Sequence, residues 1–458
     1  MVCCTLEEFS GKADGVWDNS AAFASALAHI AEAGGGTLSV SSGTWLTGPI
    51  ELCDNCTLEL AEGACIKFVA DFTRYKPVWT RWEGVDCHAM QPCIQARNRT
   101  NVVITGQGTI DGGGDPWWDY RNAIKAQTDR GPQTELEKMF AGLNPDYLKQ
   151  PGGGGGRGSQ FLAPPRIQLY RCEDCRIEGI TVVDSPFWTI HPVYCSRLEI
   201  RNVTVRNPYE APNTDGLDID SCRDVIVEDC FFDVGDDAIA LKSGSGADGI
   251  RVGIPTRNVS IARCTVQRAH GGIVVGSETA AGIYHVSGTD CTFIDTDRGI
   301  RIKTRRGRGG HVEDLTFTGI RMENTLCPIA INMYYRCGVS PDEGDTPFSL
   351  HAIEIGEATP KIRRVTVRNL HATGSRASAG FFVGLPESPI TDLHLVGCHI
   401  DTRTHEPVPT EDSEMYDGLP LAAGRGMRFR HCSGVRLEDV HVEGTDIPYH
   451  LEEGVDFS

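Results

Sequence analysis

The sequence lacks any apolar run that approaches the roughly 18 residues of a membrane-spanning helix. Its first eight residues also lack the basic segment and hydrophobic core that direct export. Positive charge is in the minority, because 43 lysines and arginines stand against 62 aspartates and glutamates, for a net charge of −19. We therefore expect a cytoplasmic protein with neither a membrane nor a nucleic acid as its partner.

A compact disulfide framework is also missing, because the 18 cysteines are scattered singly or in pairs along 458 residues. We interpret most of them as reduced, buried, small side chains. Two pairs, Cys53/Cys56 and Cys172/Cys175, have the spacing of zinc ligands, but they lie far apart beside predicted strands. The sequence therefore predicts no metal site and no cofactor.

Asn-Gly and Asp-Gly pairs, which mark hairpin turns, are rare between the apolar segments of this chain. What recurs from about residue 165 is a short alternating segment rich in Val, Ile and Thr, as in residues 175–182 and 198–205. Further copies occupy residues 225–230, 259–266, 286–293, 312–320, 362–370, 393–400 and 435–442. Each copy would be a strand with one buried face, and stacking the copies as parallel coils buries those faces. Asn and Asp at the turns suit tight coil corners. The pattern predicts an all-β fold, a right-handed parallel β-helix, rather than a β-sandwich.

Two segments interrupt the repeats. Residues 19–32 have helical spacing, with Asp18 as the N-cap and glycines at 34–36, which predicts a capping element within residues 1–50. Residues 71–165 contain four tryptophans, a helical stretch at 134–140 and a glycine run at 152–156. We expect this second segment to form a loop-rich wall beside a cleft, with a mobile glycine hinge. The whole chain, 1–458, is then one β-helix domain.

Polar groups recur in consecutive predicted coils. They are Asn213-Thr214-Asp215, Gly235-Asp236-Asp237, His270-Gly271-Gly272 and Arg301-Ile302-Lys303. The separations from Asp215 to Asp236, Asp237 to His270 and His270 to Arg301 are 21, 33 and 31 residues, each about one coil plus a loop. Because adjacent strands lie about 4.8 Å apart, the four groups are predicted to stack on one face.

Carboxylates placed close together raise one another's pKa, so that one can hold a proton near the working pH. A glycosidase needs this combination, with one acid to protonate the leaving oxygen and another carboxylate to activate water. Asp is also common at solenoid turns, where it bonds to the backbone. The set of Asp215, Asp236 and Asp237 favours catalysis, whereas Asp218 and Asp220 are interpreted as turn or strand residues.

The basic coil suits an anionic ligand. Arg301, Lys303 and Arg305 alternate and would face one way, and Arg binds carboxylates in a bidentate manner while Lys adds a point charge. The same run contains Arg298, Arg306 and Arg308. A solvated charged strand is an equal alternative for Arg305, Arg306 and Arg308. His270, between the acidic and basic coils, is expected to orient a carboxylate rather than to act as the main base.

In this order the motifs resemble glycoside hydrolase family 28, the polygalacturonases, whose pattern is Asn-Thr-Asp, Gly-Asp-Asp, Gly-His-Gly and Arg-Ile-Lys. Ala269 stands where that pattern has the first glycine of the histidine motif. The resemblance covers most of the chain, from residues 9–15 onward. It implies an inverting hydrolase without a metal, in which Asp236 is the general acid and Asp215 and Asp237 hold and activate water. His270 would support the acid, and Asn213, Arg301 and Lys303 would bind the substrate.

Residues 80–84 and 186–192 resemble the bacterial exo-acting branch, in which added loops close one end of the groove. We therefore expect exo-acting cleavage of α-1,4-galacturonosidic bonds in oligogalacturonides or pectin-derived substrates. A rhamnogalacturonan or xylogalacturonan hydrolase, and a non-catalytic polysaccharide-binding β-helix, are the alternatives. A pectate lyase would instead need calcium and a base for the C5 proton.

Overall fold

The computed structural model describes residues 2–127, 130–149, 157–339 and 343–458. These residues group into two compact units. The first contains the described residues of Met1–Trp82, Asp86–Gln150 and Gly154–Asp236. The second contains Glu83–Val85 and the described residues of Asp237–Ser458.

In the first unit the chain winds through three ladders of parallel strands, passing once through each ladder in every full coil. The first ladder comprises Ile50–Leu52, Ile94–Arg97, Ile167–Tyr170, Ile190–Val193 and Leu217–Asp220. The second comprises Val2–Thr5, Gly36–Val40, Cys56–Leu60, Val103–Gly106, Glu173–Glu178, Ser196–Arg201 and Arg223–Glu228. The third comprises Gly43–Thr47, Ala64–Phe68, Thr109–Asp111, Thr181–Val183, Thr204–Arg206 and Phe231–Asp233.

The second unit has the same construction. Its first ladder comprises Asp237–Lys242, Gly271–Gly276, Arg298–Lys303, Cys327–Asn332, Gly380–Val383, Met427–Arg430 and Tyr449–Leu451. The second and third ladders begin as separate strands: Thr256–Ala262, Thr265–Gln267, Ile283–Thr289, Thr292–Ile294, His311–Thr318 and Arg321–Glu323. They then merge in the long strands Lys361–Thr373, Ile390–Asp401 and Cys432–Glu443, and Val455–Phe457 follows.

The alternating pattern explains the core. Ile177, Ile200 and Val227 are paired in register on successive coils and are fully buried. The residues that alternate with them along each strand face outward. Because an isolated coil would leave its apolar face exposed to water, each coil is stable only against its neighbours. The predicted right-handed parallel β-helix is confirmed.

Short polar residues form the corners, as predicted. Asn202 (φ 50°) and Asp229 (φ 55°) have left-handed backbone conformations. Asn202 and Asp229 each separate a second-ladder strand from the third-ladder strand that follows it. Asn and Asp tolerate this region better than other side chains that carry a Cβ.

The predicted N-terminal helix spans Ser20–Glu32. Asn19 occupies the N-cap position, one residue later than expected, while an Asp18 carboxylate oxygen accepts hydrogen bonds from the Ser20 amide at 3.0 Å and hydroxyl at 2.6 Å. Buried residues such as Phe23 and Ile30 pack this helix on the first strands of the unit.

Residues 71–165 are only partly an insertion. Pro77–Trp82 and Val85–Met90 form a two-stranded sheet, and helices span Asp115–Lys125 and Glu135–Leu143. Thr134 is the N-cap of the second helix and forms a capping box with Glu137. However, the segment also contains the regular coil strands Ile94–Arg97, Val103–Gly106 and Thr109–Asp111, so regular coil structure interrupts the expected loop-rich wall. The glycine run at 152–156 lies outside the described residues. In the second unit a short helix spans Gly246–Val252.

Among the described residues, no helix is long and apolar enough to cross a membrane. The described ranges include every cysteine, and all 18 are free thiols, 14 of them buried. Many corner thiols donate to main-chain carbonyl groups, as Cys195 does to Leu169 at 3.1 Å. The interpretation of most cysteines as reduced, buried side chains is confirmed.

Candidate functional site

In the first unit, Asn213, Thr214 and Asp215 lie on the loop that enters the strand Leu217–Asp220. Asn213 has a left-handed backbone conformation (φ 53°), and its side-chain oxygen accepts a hydrogen bond from Arg121 Nη2 at 2.7 Å. The Thr214 hydroxyl donates to the Ala211 carbonyl at 2.9 Å. Asp215 is buried. The loop is thus fixed through the two residues that precede Asp215.

Asn207 is a positioning residue that the sequence analysis missed. Its amide nitrogen donates to Thr189 Oγ1 at 3.0 Å and to the Thr214 carbonyl at 3.2 Å, and its oxygen accepts from the Ser185 amide at 2.9 Å. Through these bonds Asn207 attaches the Asp215 loop to the preceding coil. A single Asn after a strand carries no signal that separates this role from an ordinary turn.

Close packing around position 235 explains why a glycine precedes the two consecutive aspartates. A Cβ there would overlap the Ala211 carbonyl and lie 2.7 Å from Thr214 Oγ1. The close approach lets the Gly235 amide donate to that hydroxyl at 3.2 Å. Asp236, which follows, is half-buried.

Asp220 is the centre of a buried ion pair in the first unit. Arg81 Nη1 lies 2.9 Å from Asp220 Oδ1, and Arg81 Nε lies 3.2 Å from Asp86 Oδ1. Burial works to raise the pKa of Asp220, but the charges of Arg81 and His191 outweigh it and lower the pKa to about 2. Asp218 and Asp220 lie on the strand Leu217–Asp220, as interpreted, and both are fully buried.

Residues 80–82 and 186–192, which belong to the two segments that resemble the exo-acting branch, meet inside the first unit. The Trp82 ring stacks on Phe187 with centroids 4.9 Å apart. Thr80 donates to Gln168 Oε1 at 2.6 Å, and Gln168 Nε2 lies 3.0 Å from His191 Nδ1. Thr80, Trp82, Phe187 and His191 therefore share one buried, partly polar cluster beside Asp220.

In the second unit, Asp237 contacts both predicted cations. Lys303 Nζ lies 2.5 Å from Asp237 Oδ2, and Arg301 Nη1 lies 3.4 Å from Asp237 Oδ1. All three side chains are buried. Alternation along the strand Arg298–Lys303 places Arg301 and Lys303 on one side, as predicted. The ring of Tyr335 lies 5.5 Å from Arg301 and 5.3 Å from Lys303, within the range of cation–π attraction.

Gly271 makes room for this cluster. A Cβ at position 271 would overlap Val274 and lie 3.2 Å from Asp237 Oδ1. His270, which precedes it, is half-buried. Ala269 is fully buried, and its carbonyl accepts the Asp297 amide at 2.8 Å, so the departure from the family pattern is accommodated by ordinary packing.

A second buried ion pair in this unit was not predicted. Glu278 Oε2 lies 3.1 Å from Lys242 Nζ. Burial works to raise the pKa of Glu278, but Lys242, Arg308 and Lys303 lower it to about 2. Lys303 therefore acts electrostatically on Glu278 as well as on Asp237.

Arg305, Arg306 and Arg308 neither form a solvated charged strand nor face an open binding site, which were the two interpretations of this basic run. The strand ends at Lys303, so Arg305 does not continue the alternation. Arg305, Arg306 and Arg308 are buried rather than solvated. They bond to Glu343 at 2.6 Å, Glu387 at 2.6 Å and Ser245 Oγ at 2.7 Å, respectively. These contacts bind the coil to distant loops of the same unit, which is a structural role.

The predicted residues are thus distributed over both units. Asn213, Asp215 and Asp236 belong to the first unit, and the second unit brings Asp237, Arg301 and Lys303 together. His270 immediately precedes the strand Gly271–Gly276 of the second unit. Convergence of the whole set on one face stays a prediction.

Comparison with known sequences gives one family. Residues 155–401 match the family model of glycosyl hydrolases family 28. A probable polygalacturonase of Vitis vinifera is 31% identical over 399 residues, which cover 85% of this chain and 72% of that protein. An endo-polygalacturonase of Pectobacterium carotovorum subsp. carotovorum is 26% identical over 355 residues, covering 73% of this chain and 78% of its own length.

Solved structures give the same fold. The chain is similar to a hyperthermoactive exopolygalacturonase from Thermotoga maritima, with 29% identity and a TM-score of 0.78 over 97% of this chain and 92% of that one. A family 28 exopolygalacturonase of Yersinia enterocolitica shares the fold, with 19% identity and a TM-score of 0.70 over 100% of this chain and 78% of its own.

Proposed function

Because this chain belongs to glycosyl hydrolases family 28, the polygalacturonase family, we propose that it hydrolyses α-1,4-galacturonosidic bonds with inversion at the anomeric carbon. The observation that carries the proposal is the cluster of Asp237 with Lys303 and Arg301. A buried carboxylate beside two buried cations is what a site for water activation and a uronate substrate requires.

In the proposed reaction, Asp236 donates its proton to the glycosidic oxygen as the bond to the anomeric carbon breaks. Asp215 and Asp237 accept hydrogen bonds from a water molecule, which attacks the opposite face of the sugar and gives up a proton to this pair. The products are a free reducing end and a free hydroxyl group. His270 supports the acid.

Substrate recognition is assigned to the cations and to Asn213. Lys303 has three N–H groups and Arg301 has five, so each can contact Asp237 and still donate to a galacturonate carboxylate. Asn213 is held by Arg121 at 2.7 Å, which prepares its amide group for a sugar hydroxyl.

Exo action on short oligogalacturonides completes the proposal. Two observations support it: the similarity to the Thermotoga maritima exopolygalacturonase and the contact of Trp82 with Phe187. The stacked rings hold together the two segments that resemble the exo-acting branch, and such an arrangement can block one end of a groove. An exo enzyme would release monogalacturonic acid from the start of the reaction.

The test is product analysis by chromatography and NMR with a saturated oligogalacturonide of defined length and no added calcium. We expect monogalacturonic acid with inverted anomeric configuration, and a fall in kcat of about 10² to 10⁴-fold in Asp236→Asn. Asp392→Asn is the matched control, because Asp392 is an exposed residue of the strand Ile390–Asp401. Mixed internal fragments would refute exo action alone. Cleavage only of branched rhamnogalacturonan or xylogalacturonan would refute the substrate, and an unsaturated product would indicate a lyase.

We also propose that the enzyme acts in the cytoplasm. The support is the large set of buried free thiols, which suits a reducing compartment. Cell fractionation with an antibody against the protein tests this, and recovery in the periplasm or the culture medium would refute it.

A further inference from the structure

Three histidines occupy matching positions on consecutive long strands of the second unit. His371 pairs with His399, and His399 pairs with His441, in the parallel register of these strands. All three are exposed, on the outer face and away from the buried cluster around Asp237. The imidazole rings of His399 and His441 are stacked, with centroids 4.7 Å apart and planes 20° from parallel.

A carboxylate completes this group. His441 Nε2 lies 2.8 Å from Asp439 Oδ1. One ligand atom from each of His399, Asp439 and His441 lies within 4.8 Å of the other two. Asp439 has a left-handed backbone conformation (φ 52°), and it lies two residues before His441, so both side chains reach the same face.

We propose that His399, Asp439 and His441 bind a transition-metal dication of the zinc or copper type. Imidazole nitrogen and carboxylate oxygen are ligands that these metals accept, whereas calcium and magnesium prefer oxygen alone. Two ligand atoms on one zinc ion, at about 2.0 to 2.1 Å each, can be at most about 4.2 Å apart. The ligand atoms already lie within 4.8 Å of one another, so rotation of exposed side chains is enough to bring all three into that range.

The bound ion would stabilise the fold rather than take part in catalysis. His399 lies on Ile390–Asp401, and Asp439 and His441 lie on Cys432–Glu443, so a bound ion cross-links two successive coils. A ligand that binds only the folded state stabilises it by mass action. The ion therefore raises the unfolding temperature without entering the reaction proposed for Asp236 and Asp237.

Calorimetric titration of zinc chloride into tag-free protein, stripped with a chelator, tests the proposal. We expect one site in the wild type, with affinity at least about tenfold lower in His441→Gln and in Asp439→Asn. His394→Gln is the matched control, because His394 lies on the same strand as His399 but pairs with Arg436. Its affinity for zinc should equal that of the wild type.

A melting experiment gives the second readout. Zinc should raise the unfolding temperature of the wild type and of His394→Gln, but not of the double variant His399→Gln/His441→Gln. Absence of zinc binding to the wild type would overturn the proposal. Equal binding to the wild type and the double variant would also overturn it, because the ion would then be held elsewhere, for instance at the exposed thiol of Cys3.

Discussion

Lys303 reaches Asp237 across an intervening strand. Its Nζ lies 2.5 Å from Asp237 Oδ2, although Asp237–Lys242 and Arg298–Lys303 are separated in their ladder by Gly271–Gly276. Gly271 pairs directly with Asp237, and a Cβ there would lie 3.2 Å from Asp237 Oδ1 and 3.5 Å from Arg301 Cδ. The charge cluster therefore depends on three successive coils of the second unit.

Gly271→Ala should displace the Asp237 carboxylate. The added methyl group would overlap Val274 and lie 3.2 Å from Asp237 Oδ1. Because a displacement of about 1 Å can cost about 10²-fold in rate, we expect kcat to fall by at least about tenfold. Gly142→Ala is the control, since a Cβ there has no neighbour within 4 Å. Steady-state kinetics measure both, and an unchanged kcat in Gly271→Ala would show that the position of Asp237 is not critical.

Lys303→Met should weaken both substrate binding and the chemical step. Loss of a hydrogen bond to a charged group costs about 1.5 to 3 kcal/mol, which corresponds to about 10- to 150-fold in kcat/KM. Lys303→Arg keeps the charge and should retain part of the activity. Lys361→Met, at an exposed position, is the control. Equal kcat/KM for Lys303→Met and the wild type would remove Lys303 from the site.

Arg81→Met should be strongly destabilising. It leaves the Asp220 carboxylate fully buried without the guanidinium that lies 2.9 Å away, and such a change costs about 3 to 5 kcal/mol. Arg403→Met breaks an exposed pair, in which the Arg403 side chain is 66% exposed, and should lower the free energy of unfolding far less than Arg81→Met does. Urea unfolding of both variants gives the free energies of unfolding. Similar losses in the two variants would contradict the assignment of Asp220 to a buried pair.

Acid should destabilise the protein through Asp220 and Glu278. Their pKa values in the folded state are lowered from 3.8 and 4.5 to about 2. A lowered pKa means that the folded state favours the charged form, so the stabilisation is complete above the unfolded pKa and disappears as the pH falls towards 2. We expect the urea midpoint to drop between about pH 4.5 and pH 2. Its dependence on pH should be shallower in Glu278→Gln than in the wild type, and an identical slope would contradict the assigned pKa.

The sequence predicted the coils because strands and corners are determined locally. Alternation placed Ile177 and Ile200 in the core, and recurring Asn and Asp residues predicted corners, from residues close together in the chain. Long-range ion pairs leave no such pattern. Arg81 and Asp220 are 139 positions apart, and Arg306 and Glu387 are 81 apart. A run of arginines was therefore predicted to face substrate or solvent, although the folded chain buries it.

The sequence likewise predicted only part of the candidate site. Asp215, Asp237, Arg301 and Lys303 could be selected because their motifs recur once per coil. Asn207 and Glu278 could not, because each acts through partners that only the folded chain brings near, such as Thr214 and Lys242. The coil at Ile94–Arg97 was missed because long loops surround its short strands.

Pairing between neighbouring coils also determines the order in which the second unit comes apart. Tyr449–Leu451 pairs with Met427–Arg430, and its residues are half-buried or exposed, whereas Gly271–Gly276 is fully buried with paired strands on both sides. Amide protons should therefore exchange fastest in this outer coil and slowest around the charge cluster. Heating would then fray the outer coil first, leaving the coils around Asp237 intact until the cooperative transition.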